Sequence, residues 1–260
     1  MNVRPKKHLG QHFLKDDEVC EKIANAIQPD GAYQHVLEIG PGTGALTKHL
    51  LTRSDFETSV IEIDQESVSY LRMHFPQLDK HIYSQDFLSA DITSLMGKNP
   101  FAVVGNFPYN ISTQIVFKVL EHKNQIPELV GMFQKEVAER LVKGPGTKDY
   151  GIVSVFVQAF YSTEYLFTVS EDKFIPPPKV KSGVIRLRRN SVDKLNCNED
   201  LFRQVVKMAF NQRRKTLRNS LKSFEQGFKP VFEANPEFFT RRPETLSVAE
   251  FVWLTQQFQV

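Results

Sequence analysis

Val19, Ile23 and Ile27 recur every four positions behind Asp16, a spacing that predicts an amphipathic helix with Asp16 as its N-cap. The period then changes. Short apolar runs follow one another: "HVLEIG" (35–40), "TSVIEID" (58–64), "HIYSQDF" (81–87), "FAVVGNF" (101–107), "LVGMFQ" (129–134) and "IVSVFVQAFY" (152–161). Each predicts a strand, and the helix-compatible segments 45–52, 65–74 and 113–122 lie between many of them. Strands alternating with helices predict an α/β fold, a mostly parallel sheet covered on both faces, with its ligand at the carboxyl ends of the strands. "KGPGTKDYG" (143–151) reads as a surface loop, and "FIPPPKVKSGVIRLRR" as a stiff proline run entering another strand-like segment. Beyond residue 190 the strand signals fade. Phe202, Val205, Val206, Ala209 and Phe210 take helical spacing, and Leu217, Leu221 and Phe224 extend it. Two domains are predicted, 1–190 and a small all-helical 191–260, with no internal repeat.

Composition narrows the class. With 41% hydrophobic and 24% charged residues over 260 positions, the chain has ordinary globular composition. Cys20 and Cys197 are its two cysteines, too few for a disulfide framework and not spaced as metal ligands, so a reducing compartment and no metal site are expected. The basic start has no apolar core, and no run of about 20 apolar residues follows; a cytoplasmic protein is expected. The net charge of +3 is mild but unevenly spread. Arg4, Lys6, Lys7 and Lys15 form one basic cluster; Lys179, Lys181, Arg186, Arg188 and Arg189 a second; Arg203, Lys207, Arg213, Arg214, Lys215, Arg218 and Lys222 a third. One such cluster is as readily a solvated face, but three favour a polyanionic partner, because cations that neutralise phosphates release condensed counterions.

"LEIGPGTGAL" places Gly40, Gly42 and Gly44 between a strand and a helix, where the backbone turns sharply and approaches a ligand closely. The spacing is G-x-G-x-G and not the G-x-G-x-x-G of dinucleotide enzymes, which favours S-adenosylmethionine over a nicotinamide cofactor. Glu62 closes the second strand, where an acid accepts both ribose hydroxyls, and Asp86 closes the third, where a carboxylate accepts from an adenine amino group. Each alone is also a common helix-capping or strand-end acid. In register on successive strands they describe a nucleoside pocket.

The fourth strand ends in "GNFPYNIS". An adenine amino group is a poor nucleophile, because its lone pair is delocalised into the ring. Two acceptors aimed at its hydrogens, the Asn106 amide oxygen and the Phe107 carbonyl, favour a pyramidal nitrogen and expose that pair. Pro108 removes a backbone donor and fixes the turn, and Tyr109 offers a ring on which the base stacks. Attack on a sulfonium methyl relies on alignment and needs no strong base.

"GQHFL", "EIGPGTG", "VIEID", "QDF", "GNFPYNIS", "QKEVAERL", "FIPPPKV" and "NQRRKTLRNSL" occur in the order found in the ribosomal RNA adenine dimethyltransferases, and the chain most resembles their small-subunit branch. The resemblance covers nearly the whole chain. It implies a Rossmann-like methyltransferase domain, S-adenosylmethionine as donor, N6,N6-dimethyladenosine as product, and two adjacent adenosines near the 3′ end of 16S rRNA in an immature 30S subunit as target. It also implies a monomer. Its cofactor positions fall on His12, Leu14, Gly40, Glu62, Asp86 and Asn106, beside Gly42 of the turn; Asn106, Phe107, Pro108 and Tyr109 form the catalytic tetrad. Phe174 matches a second aromatic facing Tyr109 across the flipped base, and Pro176, Pro177 and Pro178 a pocket wall. Lys6, Lys7, Lys179, Lys207, Arg213, Arg214, Lys215 and Arg218 are the expected RNA contacts, with Lys207, Arg214 and Arg218 on one helical stripe if that helix continues. Two positions depart from the pattern: His12 stands where Asn is usual, and Phe107 where Leu is usual. The related large-subunit 23S methyltransferases, and a non-catalytic RNA-binding protein on the same fold, are the alternatives.

Overall fold

The computed structural model describes residues Val3–Gln259. It divides into two compact units, Met1–Ala138 with Ser162–Arg189, and Glu139–Tyr161 with Asn190–Val260. Glu139–Tyr161, which lies before the predicted 190/191 boundary, thus belongs to the C-terminal unit.

Among the described residues there are nine strands: β1 (Phe13–Leu14), β2 (His35–Ile39), β3 (Glu57–Ile61), β4 (Ile82–Tyr83), β5 (Ala102–Asn106), β6 (Glu128–Gln134), β7 (Tyr161–Val169), β8 (Phe174–Ile175) and β9 (Ser182–Arg189). Seven of them form one sheet in the order β4-β3-β2-β5-β6-β9-β7, while β1 and β8 make a separate antiparallel ribbon. β4, β3, β2, β5 and β6 run parallel, and β9 joins antiparallel to β6. Val36, Leu37, Val60, Ile61, Val103, Val104, Leu129 and Val130 are all buried, as strands covered on both faces require.

Chain order reverses between β2 and β5: β3 and β4 lie on one side of β2, and β5 and β6 on the other. At such a switch point a crevice opens outside the carboxyl ends of the strands. Gly40 follows β2, Glu62 follows β3, Asp86 lies beyond β4, and Asn106 ends β5, so these four predicted site residues gather at one edge.

The predicted N-terminal helix is Asp17–Asn25, with the Asp16 carboxylate accepting the Val19 N–H at 3.0 Å. Segment 152–161 is a correction: Ile152–Gln158 is helical and the strand begins at Tyr161. A continuous apolar run suits a buried helix as well as a buried strand. Here Ser154 tips the balance, since its Oγ accepts the Gly151 N–H at 2.9 Å and closes the first turn. The third strand is also shorter than predicted, pairing only at Ile82 and Tyr83.

Candidate active site

The turn after β2 depends on glycine at two positions in particular. Gly40 has φ +67°, and a side-chain carbon added there would meet nothing within 4 Å, so the backbone itself forms the cleft wall. Gly42 has φ +57°, and such a carbon would stand 2.8 Å from the Phe13 ring. The turn is thereby pressed against the N-terminal arm.

Glu62 is 3% exposed. Its Oε2 accepts the Gly42 N–H at 3.1 Å and its Oε1 the Asp64 N–H at 2.9 Å, which aims the carboxylate along the glycine turn. Burial pushes its pKa up, and these backbone donors oppose the rise. Each oxygen keeps a second lone pair for a ligand hydroxyl. Asp86 uses Oδ1 to accept the Leu88 N–H at 2.9 Å; its second oxygen has no hydrogen-bond partner among the described residues.

Asn106 Nδ2 donates to the His12 carbonyl at 2.8 Å. That bond assigns the amide orientation and leaves Oδ1 as the acceptor. Phe107 N–H donates to Met132 O at 3.2 Å, while none of the described residues donates to the Phe107 carbonyl. The Phe107 side chain is 1% exposed and points into the sheet, so its contribution to the cleft is its backbone. Tyr109 is fixed by a 2.7 Å hydrogen bond between its hydroxyl and Ser182 Oγ, and its ring stacks on His12 at 5.4 Å. His12 Nδ1 in turn donates to the Pro176 carbonyl at 2.8 Å. The residue that departs from the expected Asn is therefore a bridge between the arm, the tetrad and the proline turn.

These groups line one cleft of about 200 Å³, which includes His12, Gly40, Gly42, Glu62, Asp86 and Asn106 to Tyr109. Ile63, 49% exposed, and Phe87 give it apolar walls. Buried acid, open glycine backbone and apolar walls together fit a nucleoside bearing a charged tail. Leu14 lies instead on a small adjoining cavity of about 30 Å³, shared with Glu38, Gly40 and Asn106. Ile63, Phe87 and Ser182 escape sequence reasoning, for their neighbours in the chain mark them as ordinary strand-end residues; only their positions beside Glu62, Asp86 and the proline run hint otherwise.

Phe174 is a correction. It is fully buried, paired with Leu14 in the β1–β8 ribbon, packed in the cluster of Leu14, Ile23 and Val104, and not among the residues that line the cleft. Ile175, its neighbour in the ribbon, is 52% exposed, so the Leu14–Phe174 pair is what holds the ribbon to the core. Lys6 is likewise engaged, pairing with Asp64 at 2.5 Å and Glu66 at 3.2 Å, so it fastens the arm beside Glu62. Arg213 donates to the carbonyls of Thr147 and Lys148. Lys7, Lys179, Lys207, Arg214, Lys215 and Arg218 are exposed. The stripe is broken, however: its helix ends at Asn211 and a short helix restarts at Leu217.

Among the described residues no group of three or more His, Cys, Asp or Glu side chains is placed to hold a metal ion, and no helix is long and apolar enough to cross a membrane. A sequence model of the family described as "Ribosomal RNA adenine dimethylase" matches residues 2–237. The "Ribosomal RNA small subunit methyltransferase A" of Flavobacterium johnsoniae is 56% identical over 99% of this chain and 97% of its own length. Its namesake from Bacteroides thetaiotaomicron is 54% identical over 98% and 94%. Among solved structures, a dimethyladenosine transferase from Plasmodium falciparum superposes with a TM-score of 0.78 at 26% identity, over 95% of this chain and 97% of that one. The 23S rRNA methyltransferase ErmE gives 0.69 at 26% identity, over 95% and 99%. With its switch-point cleft, its strand-end acids and its Asn-Phe-Pro-Tyr turn, the chain belongs to the ribosomal RNA adenine dimethylase family.

Proposed function

We propose that this chain dimethylates N6 of two adjacent adenosines near the 3′ end of 16S rRNA, with S-adenosylmethionine as methyl donor. The observation that carries the reading is the Asn106 amide. Its nitrogen is occupied by the His12 carbonyl at 2.8 Å, so its oxygen is the atom presented to a target amine.

S-adenosylmethionine, when bound, supplies an electrophilic sulfonium methyl group. Glu62 would accept from the ribose hydroxyls and Asp86 from the adenine amino group, while Gly40, Gly42, His12 and Leu14 shape the space for the rest. Asn106 Oδ1 and the Phe107 carbonyl would accept the two hydrogens of the target amine, drawing its lone pair out of conjugation. Tyr109, held by Ser182, would stack on the extruded base, an interaction worth roughly 1–3 kcal/mol. The displaced proton leaves to solvent, since the amine becomes acidic as its new bond forms. Pro108 keeps the turn rigid between two transfers at the same site. Phe174 contributes packing beneath the proline turn and no ring to the base.

Lys7, Lys179, Lys207, Arg214, Lys215 and Arg218 would meet phosphates, which positions the RNA without reading its sequence. The partner is an immature 30S subunit in the cytoplasm, bound by a single copy of the chain. Names of relatives that specify the small subunit favour 16S over 23S RNA.

Purified protein incubated with tritiated cofactor should label 30S particles, and mass spectrometry should find two dimethylated adenosines; labelling of 23S RNA alone would overturn the assignment. Asn106→Ala should lower methyl transfer at least about 10²-fold while RNA affinity is kept. Undiminished transfer would exclude Asn106 as the acceptor for the target amine.

A further inference from the structure

The helix that follows the tetrad, Ser112–Glu121, carries an amine into the interior. Lys118 is 9% exposed, and among the described residues no carboxylate lies within ion-pair distance of it. Its Nζ donates instead to two backbone carbonyls, Leu88 at 2.9 Å and Ala90 at 2.5 Å, and stands 5.3 Å from the centre of the Phe87 ring. Enclosing an ammonium group is costly unless hydrogen bonds replace its water. Here they come from one turn, residues 86–90.

That turn is the wall of the cleft beyond β4. Asp86, Phe87 and Leu88 all line the cleft. Three internal bonds close it: Leu88 N–H to Asp86 Oδ1 and Ala90 N–H to Asp86 O, each at 2.9 Å, and Ser89 Oγ to Asp86 O at 3.3 Å. All three bonds are local, and none ties the turn to the rest of the sheet. Lys118 supplies that tie from a helix whose first residue, Ser112, donates to the Tyr109 carbonyl at 3.2 Å. The wall and the tetrad are thereby anchored on the same helix.

We infer that Lys118 is a positioning residue for the nucleoside end of the cofactor, fixing the 86–90 turn so that Asp86 presents its carboxylate to the adenine amino group. The inference rests on Asp86 being the acceptor for that amino group, as proposed for the methyl donor. It also assigns a reason for a buried amine that neither the methyl transfer nor the RNA surface uses.

The test compares binding of S-adenosylhomocysteine with that of S-inosylhomocysteine, which has a carbonyl oxygen in place of the adenine amino group. Wild-type protein should prefer the adenosyl ligand by at least about tenfold, because the inosyl ligand leaves Asp86 facing an acceptor. Lys118→Met keeps the length of the side chain and removes the donor. It should weaken the adenosyl ligand about tenfold and the inosyl ligand little, so that the preference collapses. Lys118→Gln retains one donor pair and should fall between; it also carries the test if the Met variant does not fold. A merely structural lysine would weaken both ligands alike, or neither, and preserved preference in the folded variants would overturn the inference while leaving Asp86 its role. A wild-type protein without preference would sink the Asp86 reading and this inference with it.

Discussion

Glu38 lies on β2, one residue before the last of that strand, and is 2% exposed. The Thr47 hydroxyl donates to its Oε2 at 2.6 Å. Burial pushes its pKa up to about 8, with the Thr47 bond opposing and the charge of Glu62 adding to the rise. The sign of the consequence follows from linkage. A carboxyl whose folded pKa exceeds its ordinary value of 4.5 binds more protons in the native chain than in the unfolded one between those two values. Its contribution is therefore complete below pH 4.5 and is lost as pH rises towards 8, by up to about 1.4 kcal/mol per pH unit. Glu38→Gln preserves the shape of the neutral acid but does not titrate. Urea unfolding from pH 5 to 9 should show the wild type losing stability relative to the variant as pH rises. A constant difference between the two would show that Glu38 ionises normally.

At the scale of elements, the pairing of β5 with β6 explains how a bulky residue occupies the tetrad. Gly105 and Gly131 are cross-strand partners, and the Phe107 ring lies over both. A side-chain carbon at Gly131 would stand 2.2 Å from that ring, and one at Gly105 2.8 Å. Phe133 meets the same ring edge-on at 5.2 Å. Phe107→Leu should cost about 1–2 kcal/mol, from lost contacts and a partly filled slot, while activity per folded molecule is kept because the carbonyl remains. Gly131→Ala should cost about 1–3 kcal/mol by overpacking. The double variant should cost less than the sum, since the smaller side chain admits the added methyl; denaturant titration of all four proteins gives the coupling, and strict additivity would refute the shared slot. The same region marks how far the sequence can be read. Gly40, Glu62, Asp86 and Asn106 were legible because strand ends and glycine turns leave local signatures that point to a common edge. The glycine slot was not, for it joins residues distant in sequence through strand register. Phe174 misled because an aromatic beside prolines reads alike whether it faces a ligand or the core, and Ile152–Gln158 because burial on all sides erases periodicity.

The whole molecule poses a different question, where one folding unit ends and the next begins. Fading of strand signals at residue 190 marks a change of secondary structure, yet the C-terminal unit also claims Glu139–Tyr161. Tyr150 packs edge-on against Phe210 at 6.2 Å, and Phe156 against Phe202 at 6.1 Å. Val155 and Val157 are fully buried in the same segment. A chain cut after Arg189 therefore keeps residues 139–161 but removes the helix Glu199–Asn211 on which those rings pack. The stranded apolar surface, two large rings and two valines, is enough to recruit other copies. Fragment 1–189 should bind a hydrophobic dye and elute as aggregate in size-exclusion chromatography. A fragment joining 1–138 to 162–189 through about ten Gly/Ser residues removes the stranded segment along with its partners, and should be more soluble. It should also retain measurable affinity for S-adenosylhomocysteine, because every residue lining the cleft lies before residue 139. A monomeric, cooperatively unfolding 1–189 fragment would instead place the functional division at 190, where the sequence pattern alone puts it.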